Sequence, residues 1–125
     1  MSQYHITFLA LLGLSLAAAS AHAADAKHGA DVFAEECGDC HSPVPGKDKK
    51  GPTLTGVVGR KAGSVPSFAG YSDAMKSSSI VWTAEKVDAY IAAPKKLVPG
   101  GKMKYDGLAD AAARADVLAF IQSLK

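Results

Sequence analysis

The stretch Cys37-Gly38-Asp39-Cys40-His41 decides how this 125-residue sequence is read. Its C-x-x-C-H spacing is the pattern by which a c-type haem is attached to a protein. Each thiol can add to one vinyl group of the porphyrin, and the histidine that follows then lies under the ring as an iron ligand. The stretch therefore predicts one covalent haem c on Cys37 and Cys40, with His41 as an axial ligand.

A C-x-x-C pair can also belong to a zinc site, a dithiol redox centre or a structural disulfide. A zinc site needs four ligands, but Cys37 and Cys40 are the only cysteines and no H-x-x-x-H pair follows them. A thioredoxin-like dithiol follows a strand, whereas residues 29–36 have a helical pattern. The dithiol and disulfide alternatives stay open, and both predict a protein without a haem absorption band.

Residues 1–23 have the features of a secretory signal peptide. An uncharged apolar run covers residues 6–19, and Ala21-His22-Ala23 is an A-x-A cleavage site. The run is shorter than the about 20 residues of a spanning helix. One feature is atypical of a signal peptide, since no Lys or Arg precedes the run. An uncleaved membrane anchor is the alternative. We expect cleavage after Ala23, export to the periplasm, and a single domain over residues 24–125.

The composition excludes few functions, but its mild net charge argues against a nucleic-acid-binding protein. The formal net charge of +2 does not favour a nucleic-acid binder, and we expect no nucleic-acid partner. A mature chain of about a hundred residues buries only some two-thirds of its unfolded surface. A large apolar cofactor would therefore add much to its core.

Apolar periodicity predicts an all-α fold, and no strand pattern is convincing. Helices are predicted over residues 26–36, 72–76 and 84–92, and from Asp110 to the end of the chain. Gly29 costs about 1 kcal/mol inside a helix, so its presence indicates that another helix crosses there. The last helix, with its apolar stripe through Val117 and Ile121, is the expected partner.

Two further expectations concern the second half of the chain. Pro94 is expected to end the third helix, and residues 95–107 are expected to form a loop. Arg114 and Asp116 are expected to face solvent on the last helix.

His41 leaves one iron position open, for which Met103, Met75, His28, a lysine or no protein group are candidates. We expect His28 to be exposed and Met75 to fill the core. Met103 is favoured because its Pro- and Gly-rich loop can bring the thioether to the far side of the ring. His/Met ligation fills both axial positions and makes the iron a one-electron carrier. A haem enzyme or gas-binding protein, with an open or labile sixth position, is the rival.

From Gly29 onward the sequence resembles the class I cytochromes c, closest to the mitochondrial type and to the cytochrome c2 type of bacterial periplasms. The resemblance lies in segments 37–41, 51–56, 59–61, 71–74, 80–82, 94–96, 98–103 and 114–117. It implies a small class I fold in which the terminal helices cross and loops wrap a covalent haem. It also implies that Met103 is the sixth ligand, and that the Pro52 carbonyl accepts a hydrogen bond from His41 and so orients its ring.

The resemblance assigns four more site residues. Tyr71 and Trp82 correspond to residues that hydrogen-bond a haem propionate, and Arg60 to one that stabilises the buried carboxylate. Tyr90 would lie beside the sulfur of Met103. Ordinary aromatic packing explains Tyr71, Trp82 and Tyr90 equally well.

The sequence departs from the family pattern at two positions near Met103. Gly101 stands where the family usually has Thr, and Tyr105 stands where it usually has Phe. We expect Gly101 to make the Met103 bond more easily displaced at alkaline pH than in relatives with Thr. Tyr105 is expected to preserve packing. Loop lengths also differ within residues 43–50 and 66–70.

Seven lysines fall in the two loops that flank the predicted iron ligands, whereas five of the twelve acidic residues fall in the predicted first and last helices. These lysines are Lys47, Lys49, Lys50, Lys95, Lys96, Lys102 and Lys104. We expect them to form a positive ring around the exposed haem edge that steers encounters with acidic membrane complexes. The resemblance implies a quinol-oxidising cytochrome complex as electron donor, and a terminal oxidase or photosynthetic reaction centre as acceptor. We expect a monomeric carrier that is not an enzyme.

Overall fold

The computed structural model describes residues 22–125, and within them five helices are joined by long irregular segments. The helices are α1 (Ala26–Glu36), α2 (Asp73–Ser77), α3 (Ala84–Ala92), α4 (Pro94–Leu97) and α5 (Ala111–Ser123). Extended pairing in this part of the chain is limited to one antiparallel bridge between Lys61 and Val81. The predicted all-α fold is confirmed. Residues 1–21 of the predicted signal peptide lie outside the described residues.

Side-chain caps explain where the three longer helices begin. An oxygen of Asp25 accepts hydrogen bonds from the backbone amides of Lys27 and His28, at 2.9 and 3.2 Å. Thr83 caps α3 through the amide of Lys86, and Asp110 caps α5 in the same manner. A cap satisfies amides that have no partner within the helix. The helix starts could therefore be predicted from the sequence.

The terminal helices α1 and α5 cross at Gly29, as predicted. A Cβ atom at Gly29 would clash with the carbonyl oxygen of Asp116 and lie 3.0 Å from the amide nitrogen of Val117. Beside the crossing, the rings of Phe33 and Phe120 meet edge to face, with centroids 5.3 Å apart. Because the backbones touch, only glycine fits at position 29. This crossing forms one side of the core.

The expectation that Asp116 faces solvent is wrong. Its residue exposure is only 3%, because the carboxylate turns toward the start of α1. There it accepts hydrogen bonds from the Asp25 amide at 2.8 Å, from His28 Nδ1 at 2.7 Å and from His22 Nε2 at 2.9 Å. His28 is exposed, as expected, but is held by this bond. Cleavage after Ala23 would remove His22 and leave the other two donors.

The outward placement of Arg114 is also wrong. Its side chain is 16% exposed and donates from Nε to Asp88 at 3.0 Å. A second nitrogen, Nη1, donates to the carbonyl oxygens of Leu108 and Ala109. The arginine therefore ties α5 to α3 and to the segment that precedes α5.

Two predicted helix limits need correction. The second helix begins one residue later than predicted, because Ser72 is its cap and accepts a hydrogen bond from the Met75 amide at 3.0 Å. Pro94 does not open a continuous loop but begins the single turn α4. Proline suits the first position of a helix, where the missing amide hydrogen has no partner to lose. Among residues 22–125, no helix is both long and apolar enough to cross a membrane.

We predict that His28 makes stability depend on pH through Asp116. The bond to Asp116 raises the pKa of His28, so this contribution is present below the ordinary value of 6.5 and is lost as pH rises through the folded pKa. The Asp25 amide, then His28, lower the pKa of Asp116, so its contribution is present above its ordinary value of 3.8 and is lost as pH falls. Together they stabilise most between about pH 4 and 6.5.

The test is urea unfolding of the haem-loaded protein from pH 5 to 9. In His28→Gln, the decline of the unfolding free energy above about pH 6.5 should flatten. Lys27→Gln removes a neighbouring positive charge without touching Asp116, and should keep the wild-type profile. An unchanged profile in His28→Gln would contradict the assignment.

Candidate haem site

A cavity of about 610 Å³ lies inside the described chain. Every residue that the sequence predicted for the cofactor lines this one cavity. These are Cys37, Cys40, His41, Pro52, Arg60, Tyr71, Trp82, Tyr90 and Met103. They are spread over positions 37–103 of the sequence, so the fold brings the predicted set together at a single site.

The turn after α1 presents the thiols and the imidazole. Cys37 ends the helix, with its amide donating to the Phe33 carbonyl at 2.9 Å. The amides of Cys40 and His41 then both donate to the Cys37 carbonyl, at 3.1 and 2.9 Å. This tight turn holds both sulfur-bearing residues and His41 against the same cavity.

His41 is oriented by a hydrogen bond from Nδ1 to the carbonyl oxygen of Pro52, 2.8 Å long. Because Nδ1 carries the proton, Nε2 keeps its lone pair for a metal. Burial lowers the pKa of His41, and the neutral ring is the form that binds iron. The imidazole is therefore prepared as an axial ligand.

Gly51 was not predicted as a site residue, yet its backbone packs on the His41 ring. A Cβ atom there would lie 2.8 Å from Nδ1 and 3.0 Å from Nε2. The Gly51 amide also donates to the Cys40 carbonyl at 2.8 Å. Glycine at this position leaves room for the imidazole plane, and its place directly before Pro52 is the only sequence signal for this role.

Two thioethers line the cavity. Met103 comes from the segment between α4 and α5, and Met75 from α2. Met75 also packs against the hydrophobic core, as expected for a core residue. His28, the imidazole candidate for the sixth position, is bonded to Asp116 and is absent from the residues that line the cavity.

Arg60, Tyr71 and Trp82 supply polar groups to the cavity wall. Arg60 donates to the carbonyl oxygens of Thr53 and Thr55, at 3.1 and 3.2 Å, and burial lowers its pKa. The Tyr71 hydroxyl accepts a hydrogen bond from the Val65 amide at 3.2 Å. A cation, a hydroxyl and an indole N–H suit the carboxylates of a haem.

Trp82 and Tyr90 belong to the core as well as to the cavity wall. Trp82 is buried, and its ring centroid lies 5.0 Å from that of Tyr90. Burial raises the pKa of Tyr90. Aromatic packing and cofactor contact are therefore compatible here, since one face of the pair can meet the core and another the cavity.

The state of the thiols argues against a dithiol redox centre. Neither Cys37 nor Cys40 is in a disulfide. Burial, with smaller contributions from Glu36 and Cys40, raises the pKa of Cys37 to about 11. A dithiol catalyst needs a lowered thiol pKa, so this pair is poorly suited to that chemistry.

The inner part of the remaining lining is apolar and fits a haem. It includes Leu54, Val57, Phe68, Val87, Ile91 and Ile121. Those on α3 and α5 follow from helical periodicity, whereas Leu54, Val57 and Phe68 lie in irregular segments without a periodic signal. An apolar cavity with two adjacent thiols, an oriented imidazole and thioethers provides every attachment that a haem c needs.

The cavity opens at a rim that carries charges of both signs. We define the rim as the exposed charged residues that line the cavity, which are Glu36, Asp39, Lys50, Lys102 and Lys104. Three of the seven lysines of the expected positive ring therefore lie on the rim. Lys95 is paired with Asp106 at 3.1 Å, and Lys49 donates to the Gly38 carbonyl.

Comparison with known proteins agrees with this geometry. The family model for cytochrome c matches residues 26–125. Cytochrome c2 of Rhodopila globiformis is 43% identical over 106 residues, covering 85% of this chain and 99% of that protein. Cytochrome c of Euglena viridis is 42% identical over 101 residues, covering 81% and 98% respectively. The structure of cytochrome cH from Methylobacterium extorquens superposes with a TM-score of 0.73 at 40% identity, covering 79% of this chain and 98% of that one.

The matched region contains the thiol pair, the oriented imidazole and the cavity described above. Both relatives are more than 40% identical to this chain over nearly their whole length, which establishes that the proteins are homologous. This chain therefore belongs to the cytochrome c family, as a class I cytochrome c that binds one covalent haem c and carries electrons rather than acting as an enzyme.

Proposed function

We propose that this protein is an exported one-electron carrier whose haem iron is held between His41 and Met103. The observation that carries the proposal is the 2.8 Å bond from His41 Nδ1 to Pro52, which leaves Nε2 available at a cavity that Met103 also lines. The bound haem supplies a one-electron change at iron. The chain attaches it through Cys37 and Cys40, orients it, and leaves no axial position for a substrate.

The choice of Met103 over Met75 rests on how the two backbones are held. Met75 belongs to α2, where its amide is bonded to Ser72, and its side chain packs against the core. Within residues 22–125, the segment 102–107 makes no backbone–backbone hydrogen bond. A ligand on this segment can adjust its position to the iron, whereas Met75 is held by the backbone of α2 and by its contacts with the core.

The remaining site residues are assigned to the haem periphery. Tyr71 and Trp82 are proposed to donate hydrogen bonds to a propionate, and the half-buried Arg60 to offset its negative charge. Tyr90 is proposed to lie beside the Met103 sulfur. All four line the haem cavity, which supports the assignment.

Gly101 remains the feature expected to ease displacement of Met103 at high pH. A Cβ atom at this position would lie 3.2 Å from the Val98 carbonyl oxygen, so a threonine would crowd the turn that precedes Met103 and restrict its backbone. Its absence leaves that turn less restricted.

We further propose that the carrier is periplasmic. Cleavage after Ala23 would leave residues 24–125 as the mature domain, and the described residues 22–25 are exposed to a peptidase. Similarity to cytochromes c2, including that of Blastochloris viridis at 44% identity, supports this location. The proposed donor is a quinol-oxidising membrane complex, and the proposed acceptor is a terminal oxidase or a photosynthetic reaction centre.

The two loops that carry the seven lysines of the expected positive ring are the proposed contact surface for these membrane complexes. Lys50, Lys102 and Lys104 lie on the rim through which the haem edge would be reached, together with the acidic Glu36 and Asp39. Like charges gathered at one face raise encounter rates with an oppositely charged partner, and salt screens the effect. The carrier is proposed to act as a monomer.

The ligand assignment predicts the optical spectrum of the protein purified from an export-competent host. The ferric form should show the weak far-red band of a sulfur-to-iron bond. Met103→Ala should lose the band and bind carbon monoxide rapidly in the ferrous form, because an axial position opens. The volume-conserving control Met75→Leu should keep the band.

Loss of the band in Met75→Leu but not in Met103→Ala would overturn the choice of ligand. Rapid carbon monoxide binding by the wild type would instead favour a gas-binding protein or haem enzyme. A colourless product would remove the haem assignment altogether.

The contact surface predicts how electron transfer from a quinol-oxidising membrane complex responds to charge reversal. Lys50→Glu combined with Lys102→Glu should lower the bimolecular rate at low salt by about tenfold. The difference from wild type should vanish at high ionic strength. The matched control Lys86→Glu combined with Lys125→Glu makes the same change in net charge away from the rim.

Stopped-flow measurements over a range of salt concentrations provide the comparison. Equal losses in the two double variants would show that net charge alone matters. Rates that do not depend on salt would rule out electrostatic steering.

A further inference from the structure

A hydrogen bond links the segment that carries Met103 to the end of α1. The Tyr105 hydroxyl donates to Glu36 Oε2 over 2.6 Å, between residues 69 positions apart. Glu36 is the last residue of α1 and directly precedes Cys37. Both partners line the haem cavity. The bond therefore connects the proposed Met103 side of the site to the side that bears the thiols.

The segment 102–107 has few other polar anchors, and at its end the Gly107 backbone packs against the Ala92 carbonyl group. Its backbone makes no backbone–backbone hydrogen bond within residues 22–125. Its other polar side-chain contact in that part of the chain is the ion pair of Asp106 with Lys95, whose side chains are 96% and 74% exposed. That pair only connects the segment to the neighbouring α4. The bond to Glu36 is thus the polar contact that fixes the segment to α1.

The chemistry of the pair favours a defined geometry. A phenol that donates to an ionised carboxylate forms a short, charge-assisted bond that is stronger than a neutral one. The phenylalanine usual in the family at this position would pack in the same place but could not form it. The expectation that Tyr105 merely preserves packing is therefore incomplete.

We propose that Tyr105 and Glu36 form a latch that holds the segment 102–107 closed over the haem. The inference rests on the proposed ligation by Met103 for its effect on the iron. A closed latch keeps the thioether in place and keeps small external ligands out. Tyr105 acts as a positioning residue. Its hydroxyl engages the Glu36 carboxylate, which would otherwise be a free negative charge on the rim.

Imidazole binding to the ferric protein at pH 7 measures how often the segment opens, because imidazole must displace the protein ligand. Tyr105→Phe keeps the ring and removes the hydroxyl, and Glu36→Ala removes the acceptor. Each should speed imidazole association about fivefold, as expected for the loss of one hydrogen bond. The double variant should match either single variant, whereas independent effects would multiply to about 25-fold.

Glu35→Ala is the matched control, because Glu35 is exposed on the same helix and loses the same charge. It should leave the rate unchanged. A wild-type rate in Tyr105→Phe, multiplying effects in the double variant, or an equal increase in Glu35→Ala would each overturn the latch.

Amide hydrogen exchange separates this inference from the ligand assignment. Exchange at the hydrogen-bonded amides that flank the segment, Gly101 and Leu108, should rise about fivefold in Tyr105→Phe and Glu36→Ala, and residues of α5 should stay unchanged. This result is expected whichever atom binds the iron. If the wild type shows the far-red band and exchange is unchanged in both variants, the latch alone is refuted. If the wild type lacks the band and exchange is faster in both variants, Met103 ligation alone is refuted.

Discussion

The structure depends on one constraint, which is that the hydrophobic core of a small chain surrounds a space that its own side chains do not fill. Val57, Trp82, Val87, Ile91 and Ile121 belong both to the core cluster and to the wall of the cavity of about 610 Å³. A bound haem would cover these apolar side chains, and burial of apolar surface stabilises a fold by about 25 cal/mol per Å². The haem therefore completes the core.

The position of the haem follows from the crossing of the terminal helices. Gly29 brings α1 against α5, and the buried Asp116 fixes the start of α1 through the Asp25 amide and His28. The thiols and His41 come directly after α1, so the same contact that joins the chain termini also places the attachment site. Opposite this fixed side stands the segment 102–107, held mainly by side chains. The side that bears the thiols is therefore fixed by backbone contacts between the terminal helices, and the side that bears Met103 depends on side-chain contacts.

Local chemistry made much of this predictable from the sequence, and distance along the chain limited the rest. The spacing of Cys37, Cys40 and His41, the caps and the glycine at the helix crossing each carry their own signal. From the sequence alone, Asp116 is expected to face solvent, because its hydrogen-bond donors come from the other end of the chain and meet it only in the folded structure. The bond between Tyr105 and Glu36 could not be predicted for the same reason. The apolar wall residues Leu54, Val57 and Phe68 could not be predicted because irregular segments have no periodicity that reveals a buried face.

The most direct test of this account is whether the chain folds without its haem. The variant Cys37→Ser with Cys40→Ser, purified free of haem, should show little helical circular dichroism and no cooperative unfolding transition, because the apolar wall of the cavity would be left uncovered. The haem-loaded wild type, measured under the same conditions, should show both. A haem-free variant with wild-type helix content and a cooperative transition would contradict the claim that the haem completes the core.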